Sequence, residues 1–312
     1  MNFFRPVNYI AALIAVWIVG AAISCKSYRQ QRDELPDNEF KGTIHVSADE
    51  SFRPVIEEQV KVYESQHPET KILVDYKPEA LCLQDLFNDS VRMLIVTRAP
   101  SKEEKEILSD SLKKSSKSLV VALDAIAVIV HPSSPDSMLT MNELGEILRG
   151  EYKRKLIPVF DGVKATSTVR FIIDSVLKGN SLTKEAMAAD SSKGVIDYVS
   201  RHPEAIGFIG ISWIGNPEDT AQLNALKKVR MLALEHTSLP GRFVKGSQAN
   251  IYLKQYPMVR DLIYVLKENY EGLGTAFAWF MGGEQGQLIF RRSYLMPLLK
   301  NFGIRAVILN EK

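Results

Sequence analysis

From Gly42 onward, short apolar runs alternate with amphipathic stretches, and that alternation leaves few folds open. Gly42 to Val46 (GTIHV) predicts a strand, after which Ile56, Val60 and Tyr63 recur at helical spacing. Lys71 to Tyr76 predicts a second strand, Asp85 to Ser90 a helix, Val91 to Val96 a third strand, and Lys102 to Ser111 a Lys/Glu-rich helix. Strands separated by helices imply parallel pairing with crossovers, so the expected class is α/β, with mixed sheets flanked by helices.

The same reading continues to the C-terminal end. Val120 to His131 is a long β-type run closed by Pro132-Ser133-Ser134-Pro135. Thr140 and Glu143 form a capping-box pattern for a helix that stops at Gly150. Then come a strand (Leu156 to Phe160), a helix opened by Ser167 and ended at Gly179-Asn180, a helix from Lys193 to Ser200, and a strand from Ala205 to Trp213. Val229 to Glu235 is another apolar run, and helices are predicted over Tyr256 to Asn269, Gly274 to Met281 and Gly286 to Ser293. The runs near 120–131 and 229–236 are candidates for the chain crossing between two lobes and returning. That layout gives a discontinuous lobe 1 (42–127 plus 235–312) and a continuous lobe 2 (128–234). A single larger α/β sheet is the alternative that periodicity leaves open.

The first residues read as a targeting segment. Arg5 precedes an apolar stretch from Tyr9 to Ser24 that falls short of the roughly 20 residues a membrane span needs. It suits a signal-peptide core over residues 1–24. Ala22 and Ser24 flank Ile23 just before Cys25, a pattern similar to a bacterial lipobox, so Cys25 is the expected lipidation site. Residues 25–41 then read as a lipidated cysteine and a flexible, charged tether. An uncleaved anchor with an incidental cysteine is the alternative. The only other cysteine, Cys82, lies in an apolar stretch and is expected to be packed and inert. Lys and Arg total 39 against 37 Asp and Glu, so no strong basic field argues for a nucleic-acid partner.

Two helix starts carry the candidate chemistry. The first is Ala48-Asp49-Glu50-Ser51-Phe52-Arg53-Pro54, the second Thr166-Ser167-Thr168-Val169-Arg170. A helix start leaves backbone N–H groups unpaired and carries positive partial charge, so it can seat an anion. Ser51 offers a hydroxyl and, with Phe52, backbone amides. Its alternative role is to cap its own helix. Asp49 could accept a hydrogen bond from a protonated oxyanion, which would admit phosphate and reject sulfate, or serve as a solvated loop acid that favours the helix start. Glu50 reads as a solvated loop acid. Arg98 follows the Val91–Val96 strand directly, where ligands of open α/β sheets collect, although a pair with Glu103 or Glu104 is nearly as good a use for it. Thr166, Ser167 and Thr168 place three hydroxyls at one helix start, and Arg170 stands beside them with Asp174 four residues later as a competing partner. The five histidines are scattered without metal-ligand spacing, and there is no H-E-x-x-H, phosphate-binding P-loop or G-x-S-x-G. No metal, cofactor or catalytic residue is expected.

The motif order resembles the substrate-binding lipoproteins of phosphate ABC transporters (the PstS family of type 2 periplasmic binding proteins), in the form found in Bacteroidota. The resemblance spans nearly all of residues 42–312. It is carried by Ala48 to Pro54, by Val96-Thr97-Arg98-Ala99-Pro100, and by Asp124 to Pro132 followed by Leu139 to Leu144. Pro203 to Gly210, Tyr256-Pro257-Met258-Val259-Arg260, Gly272 to Phe277 and Met296-Pro297 continue it. Many members have Ser-Gly-Thr where this chain has Thr166-Ser167-Thr168, and glycine and serine where it has Asp49 and Glu50. The resemblance implies a two-lobed fold with two crossover strands at the hinge, and inorganic phosphate or a similar oxyanion as ligand. It implies contacts from Asp49, Ser51, Phe52, Arg98, Thr166, Ser167, Thr168 and Arg170, and a monomer that serves an ABC permease from the periplasmic face of a membrane. A diverged receptor or sensor for another ligand is a second reading, and a cell-envelope serine hydrolase using Ser51 or Ser167 a third.

Overall fold

The computed structural model describes residues 34–111, 115–162, 166–216 and 218–299. The expected signal peptide and Cys25 therefore lie outside the described residues. Among the described residues thirteen strands follow one another as β1 (Lys41–Asp49), β2 (Glu69–Lys77), β3 (Val91–Val96), β4 (Lys117–Val130), β5 (Met138–Leu139), β6 (Ile157–Phe160), β7 (Met187–Ala188), β8 (Ala205–Gly210), β9 (Arg230–Met231), β10 (Ala233–His236), β11 (Leu239–Val244), β12 (Val259–Leu266) and β13 (Met296–Pro297). The main sheet runs β2-β1-β3-β12-β4-β8-β6-β7, and β10 sits between β11 and β5 in a small second sheet.

The strand β4 belongs to both lobes. Its first part pairs antiparallel with β12 through Ala125, and its last residues, Ile126 to Val130, pair with β8. The cores divide at the same place. Two clusters belong to lobe 1, one with Ile44, Phe52, Met93, Val121, Leu262 and Phe277 and one with Cys82, Leu94 and Val265, and a third runs from Ala125 to Met258. Each fully buried Ile, Leu or Phe contributes about 1.5–3 kcal/mol of transfer free energy, so each lobe closes around a core of its own.

Three expectations need correction. The helix expected over Tyr256 to Asn269 is the strand β12, which lies between β3 and β4 and is buried on both faces for most of its length. Val259-Arg260-Asp261-Leu262-Ile263-Tyr264-Val265-Leu266 is rich in β-branched and aromatic side chains, which suit a pleated sheet. The return crossing expected near 229–236 lies elsewhere: Leu234, Val244, Ile251, Tyr256 and Met258 all pack in the core of lobe 2, and the chain leaves that lobe at Met258–Val259. The tether expected to reach residue 41 is already docked at Asp37, which is buried and accepts from the Tyr270 hydroxyl at 2.8 Å and the Leu273 amide at 2.7 Å.

The helix Met141–Arg149 keeps the boundaries read from local chemistry, while the helix expected over Asp85 to Ser90 lies earlier, at Glu79–Gln84. Thr140 and Glu143 close a reciprocal capping box on the helix Met141–Arg149, and Gly150 ends it at φ 77°, a left-handed conformation that glycine adopts without a Cβ penalty. Cys82 is fully buried, and burial pushes its thiol pKa up, which leaves it unreactive.

Candidate functional site

The two helix starts meet, and an arginine the sequence reading did not single out stands between them. Arg260, near the start of β12, is buried and forms an ion pair with Asp124 of β4, its Nε donating to Oδ2 at 2.7 Å. Its Nη1 donates to the Ser167 hydroxyl at 2.7 Å and to the Thr168 hydroxyl at 3.3 Å, and its Nη2 donates to the Ser51 hydroxyl at 2.9 Å. Ser51 belongs to lobe 1, Ser167 and Thr168 to lobe 2, so one guanidinium fork spans the lobes at the hinge. A planar fork with several fixed donors suits this task better than a lysine ammonium would. Phe52 is buried beneath it, with the guanidinium carbon 5.2 Å from the ring centroid.

A hydroxyl that accepts from arginine keeps its own proton to give. Ser51 gives it to Asp49 Oδ1 at 2.7 Å, and the Ser51 amide donates to the same oxygen at 2.8 Å. Asp49 is the last residue of β1, buried, and its Oδ2 has no hydrogen-bond partner among the described residues. Burial pushes its pKa up; Arg260 opposes that, Glu79 adds to it, and the nearby Ser167 hydroxyl again favours the ionised form. The lobes press together here. The Ser51 carbonyl accepts from Trp213 Nε1 at 3.0 Å, and a Cβ on Gly210 would sit 3.0 Å from that same oxygen. A side chain at position 210 would press on the Ser51 loop, which would have to give by a few tenths of an ångström.

The remaining expected residues divide. Thr166 caps the helix Ser167–Phe171, its Oγ1 accepting from the Val169 amide at 3.3 Å. Arg170 does not enter the Arg260 cluster. It crosses to lobe 1, where its Nε donates to Glu79 Oε2 at 2.7 Å and its Nη2 to the Thr97 hydroxyl at 2.6 Å, while Asp174 lies 3.5 Å away. Arg98 makes a two-pronged pair with Glu104, at 2.7 and 2.8 Å, and is held outside the cluster by it. Burial alone would raise the Glu79 pKa, but the Arg170 guanidinium and the Thr97 donors hold that carboxyl below the usual range. Arg98, Glu79, Thr166 and Arg170 line a cleft of about 520 Å³ between the lobes. Glu50 pairs with Arg53 at 2.8 Å, as a loop acid would.

Sequence reasoning passed over Arg260, Asp124 and Asp161. Arg260 and Asp124 each interrupt an apolar run, and a charge inside a buried strand needs a partner. That interruption was the available signal. The partners are 136 residues apart, so no local spacing could join them.

The fold has counterparts. A family model described as a PBP superfamily domain matches residues 36–284. The chain belongs to that superfamily. A curated relative, the phosphate-binding protein PstS of Borreliella burgdorferi, is 23% identical over 260 residues, covering 78% of this chain and 86% of the relative. Among solved structures, a protein from Clostridium perfringens assigned as a phosphate ABC transporter substrate-binding protein, with phosphate bound, superposes with a TM-score of 0.68 at 21% identity. That match covers 82% of this chain and 100% of the other. A phosphate transport receptor of the ABC type from Vibrio cholerae gives 0.60 at 17% identity, over 81% and 99%. These likenesses establish the two-lobed binding-protein fold.

Proposed function

We propose that the protein is a membrane-tethered receptor that captures inorganic phosphate, or a close oxyanion, between its lobes and delivers it to an ABC permease. The observation that carries this reading is the Arg260 fork, which gathers hydroxyls from both lobes around one buried cation. Curated and structural relatives named for phosphate binding or phosphate transport support it.

The mechanism follows from the geometry. Arg260 supplies positive charge, and the hydroxyls it polarises, with the first-turn amides of the Ser167 helix, supply donors for an anion. Asp49 supplies an acceptor. A phosphate that keeps a proton can satisfy Asp49 Oδ2, whereas sulfate at neutral pH would set two acceptors face to face. Ligand contacts drawn from both lobes favour the closed arrangement, so binding is coupled to closure by differential affinity. Arg170 and Glu79 add a second tie across the cleft mouth. Capture and closure make and break no bond.

The anchor is proposed from the sequence. Lipidation at Cys25 would hold the receptor at the cell envelope, facing the periplasm, as a monomer beside its permease. No helix among the described residues is long and apolar enough to cross a membrane. Loss of membrane association in Cys25→Ser, read by fractionation, tests this.

The ligand is tested by calorimetric titration with phosphate in phosphate-stripped buffer, with sulfate in parallel. Tight phosphate binding that Ser167→Ala weakens, with sulfate ignored, is the expected result. Silence towards both anions from folded, ligand-free protein overturns the reading. A receptor for another solute is the second reading, favoured by the buried acids Asp49, Asp124 and Asp161 around a single arginine. A serine hydrolase lacks support: the recorded hydrogen bonds of His131, His202 and His236 lie elsewhere, and no histidine bonds to Ser51 or Ser167 among the described residues.

A further inference from the structure

Asp161 has no part in the mechanism above, yet it mirrors Asp49. Asp49 ends β1 in lobe 1, and Asp161 directly follows β6 in lobe 2. Both therefore stand at the carboxyl ends of parallel strands, where α/β sheets collect their ligands. Each carboxylate has one oxygen satisfied by a serine. Ser51 donates to Asp49 Oδ1 at 2.7 Å, and Ser192 donates to Asp161 Oδ2 at 3.1 Å. Each has its other oxygen buried and without a hydrogen-bond partner among the described residues, Asp49 Oδ2 and Asp161 Oδ1. Both line one cavity of about 160 Å³ between the lobes, along with Thr166. A water's share of liquid is about 30 Å³, so this is room for a small anion and a few waters.

Two buried acceptors on residues that line one small cavity require donors. A fully deprotonated oxyanion brings none, and the charge around the cavity does not compensate. Asp161 feels Asp49, Glu50 and Arg260, and the same cavity is lined by Arg53, Tyr76, Lys77 and Asp190. We propose that Asp161 is a second proton-sharing residue of the oxyanion site, so that the bound tetrahedral anion carries one hydrogen bond to Asp49 and shares a further proton with Asp161. This deepens the phosphate-receptor reading and rests on it. The site then selects anions that can hold two protons, a narrower class than one acid alone would choose. Burial raises the Asp161 pKa to about 7, close to where phosphate itself exchanges its second proton, so the shared proton costs little to place.

The consequence is a proton taken up on binding. Above pH 7 the free protein holds an ionised Asp161 and free phosphate holds one proton, while the complex holds one proton more. Linkage then makes the dissociation constant rise about tenfold for each pH unit above 7. An asparagine at position 161 donates to the anion instead and needs no added proton.

The test is calorimetry with inorganic phosphate at pH 7 to 9, run at pH 8.5 in two buffers of different ionisation enthalpy. Wild-type protein should take up about one proton per phosphate more than Asp161→Asn, and the Asp161→Asn profile should be the flatter by about tenfold per pH unit. Equal proton uptake and parallel profiles overturn the inference while leaving phosphate binding intact. Failure of both proteins to bind phosphate at any pH overturns the inference together with the receptor reading. Should Asp161→Asn fail to fold, the wild-type profile decides: a steep rise supports the shared proton, and a flat line removes it.

Discussion

Two arginines tie the lobes together, at the same distance and with different consequences. Arg260 meets Asp124 at 2.7 Å with its side chain 2% exposed, and Arg170 meets Glu79 at 2.7 Å with its side chain 36% exposed. Distance does not distinguish them; access to water does. In the dry pair, removing one partner leaves a charge that nothing can solvate, whereas removing Arg170 leaves Glu79 buried but still bonded to the Thr97 amide and hydroxyl at the edge of the cleft. The inner arginine is thus part of the architecture of the hinge, and the outer one is suited to being made and broken as the lobes move.

The largest effect should come from the inner pair. Arg260→Met is expected to cost about 3–5 kcal/mol in denaturant unfolding, because it leaves Asp124 without its cation and takes one donor from each of three hydroxyls, and to abolish anion binding. Arg260→Met combined with Asp124→Leu should lose less than the single variant. An equal or greater loss would place the stability in the pair itself rather than in the penalty for an unpaired charge.

Next comes Asp161 in the ligand-free protein. Its folded pKa of about 7 lies above its ordinary 3.8. The folded state therefore holds a proton the unfolded state has released, and stability falls as pH rises from about 4 through 7. Asp161→Asn should raise unfolding stability at pH 8, by at most roughly 4 kcal/mol, and change it little at pH 3.5. No gain at pH 8 would mean that Asp161 is ionised without strain.

Ser167→Ala should weaken anion binding by an amount typical of a hydrogen bond to a charged group, about 1.5–3 kcal/mol, in titration calorimetry. Arg170→Ala should cost about 1–3 kcal/mol of stability, less than Arg260→Met, because Glu79 is left buried but keeps both Thr97 donors. Its contribution should vanish in acid. Glu79 is held below its ordinary 4.5, so the tie is present above that pH and is lost as pH falls through the lowered value. Small-angle scattering should show Arg170→Ala more open than wild type at neutral pH. Identical scattering would deny the outer pair any part in closure.

Much of this arrangement is legible in the chain. The parallel strands of lobe 1 announce themselves through β-branched runs, and the Thr140–Glu143 box and Gly150 mark a helix end to end. Ser51, Ser167 and Thr168 are visible in the sequence as hydroxyls at two helix starts, and the structure brings them to one guanidinium. Arg98 was open to two readings, and Glu104 took it because a capping-box glutamate three residues into the next helix lies within reach. What could not be read is what depends on distant partners. Arg260 and Asp161 sit in segments that look like ordinary strand and loop until Asp124, Ser51 and Ser192 are brought beside them. The helix expected over 256–269 failed for a related reason. An apolar run of that length suits either periodicity, and its two neighbours in the sheet decide.

The position of β12 also constrains how the molecule is made. Residues 125–258 form one uninterrupted stretch that closes its own core, so that lobe can condense as soon as it leaves the ribosome. The other lobe waits. Its sheet has β3 on one side and β4 on the other, with the middle strand supplied only by Val259–Leu266, more than 120 residues after β4 begins. Until that strand arrives, β3 and the first half of β4 each present an unpaired edge to every other chain nearby. The interval between the two halves of a single lobe is the time in which this protein most needs to be kept apart from its copies.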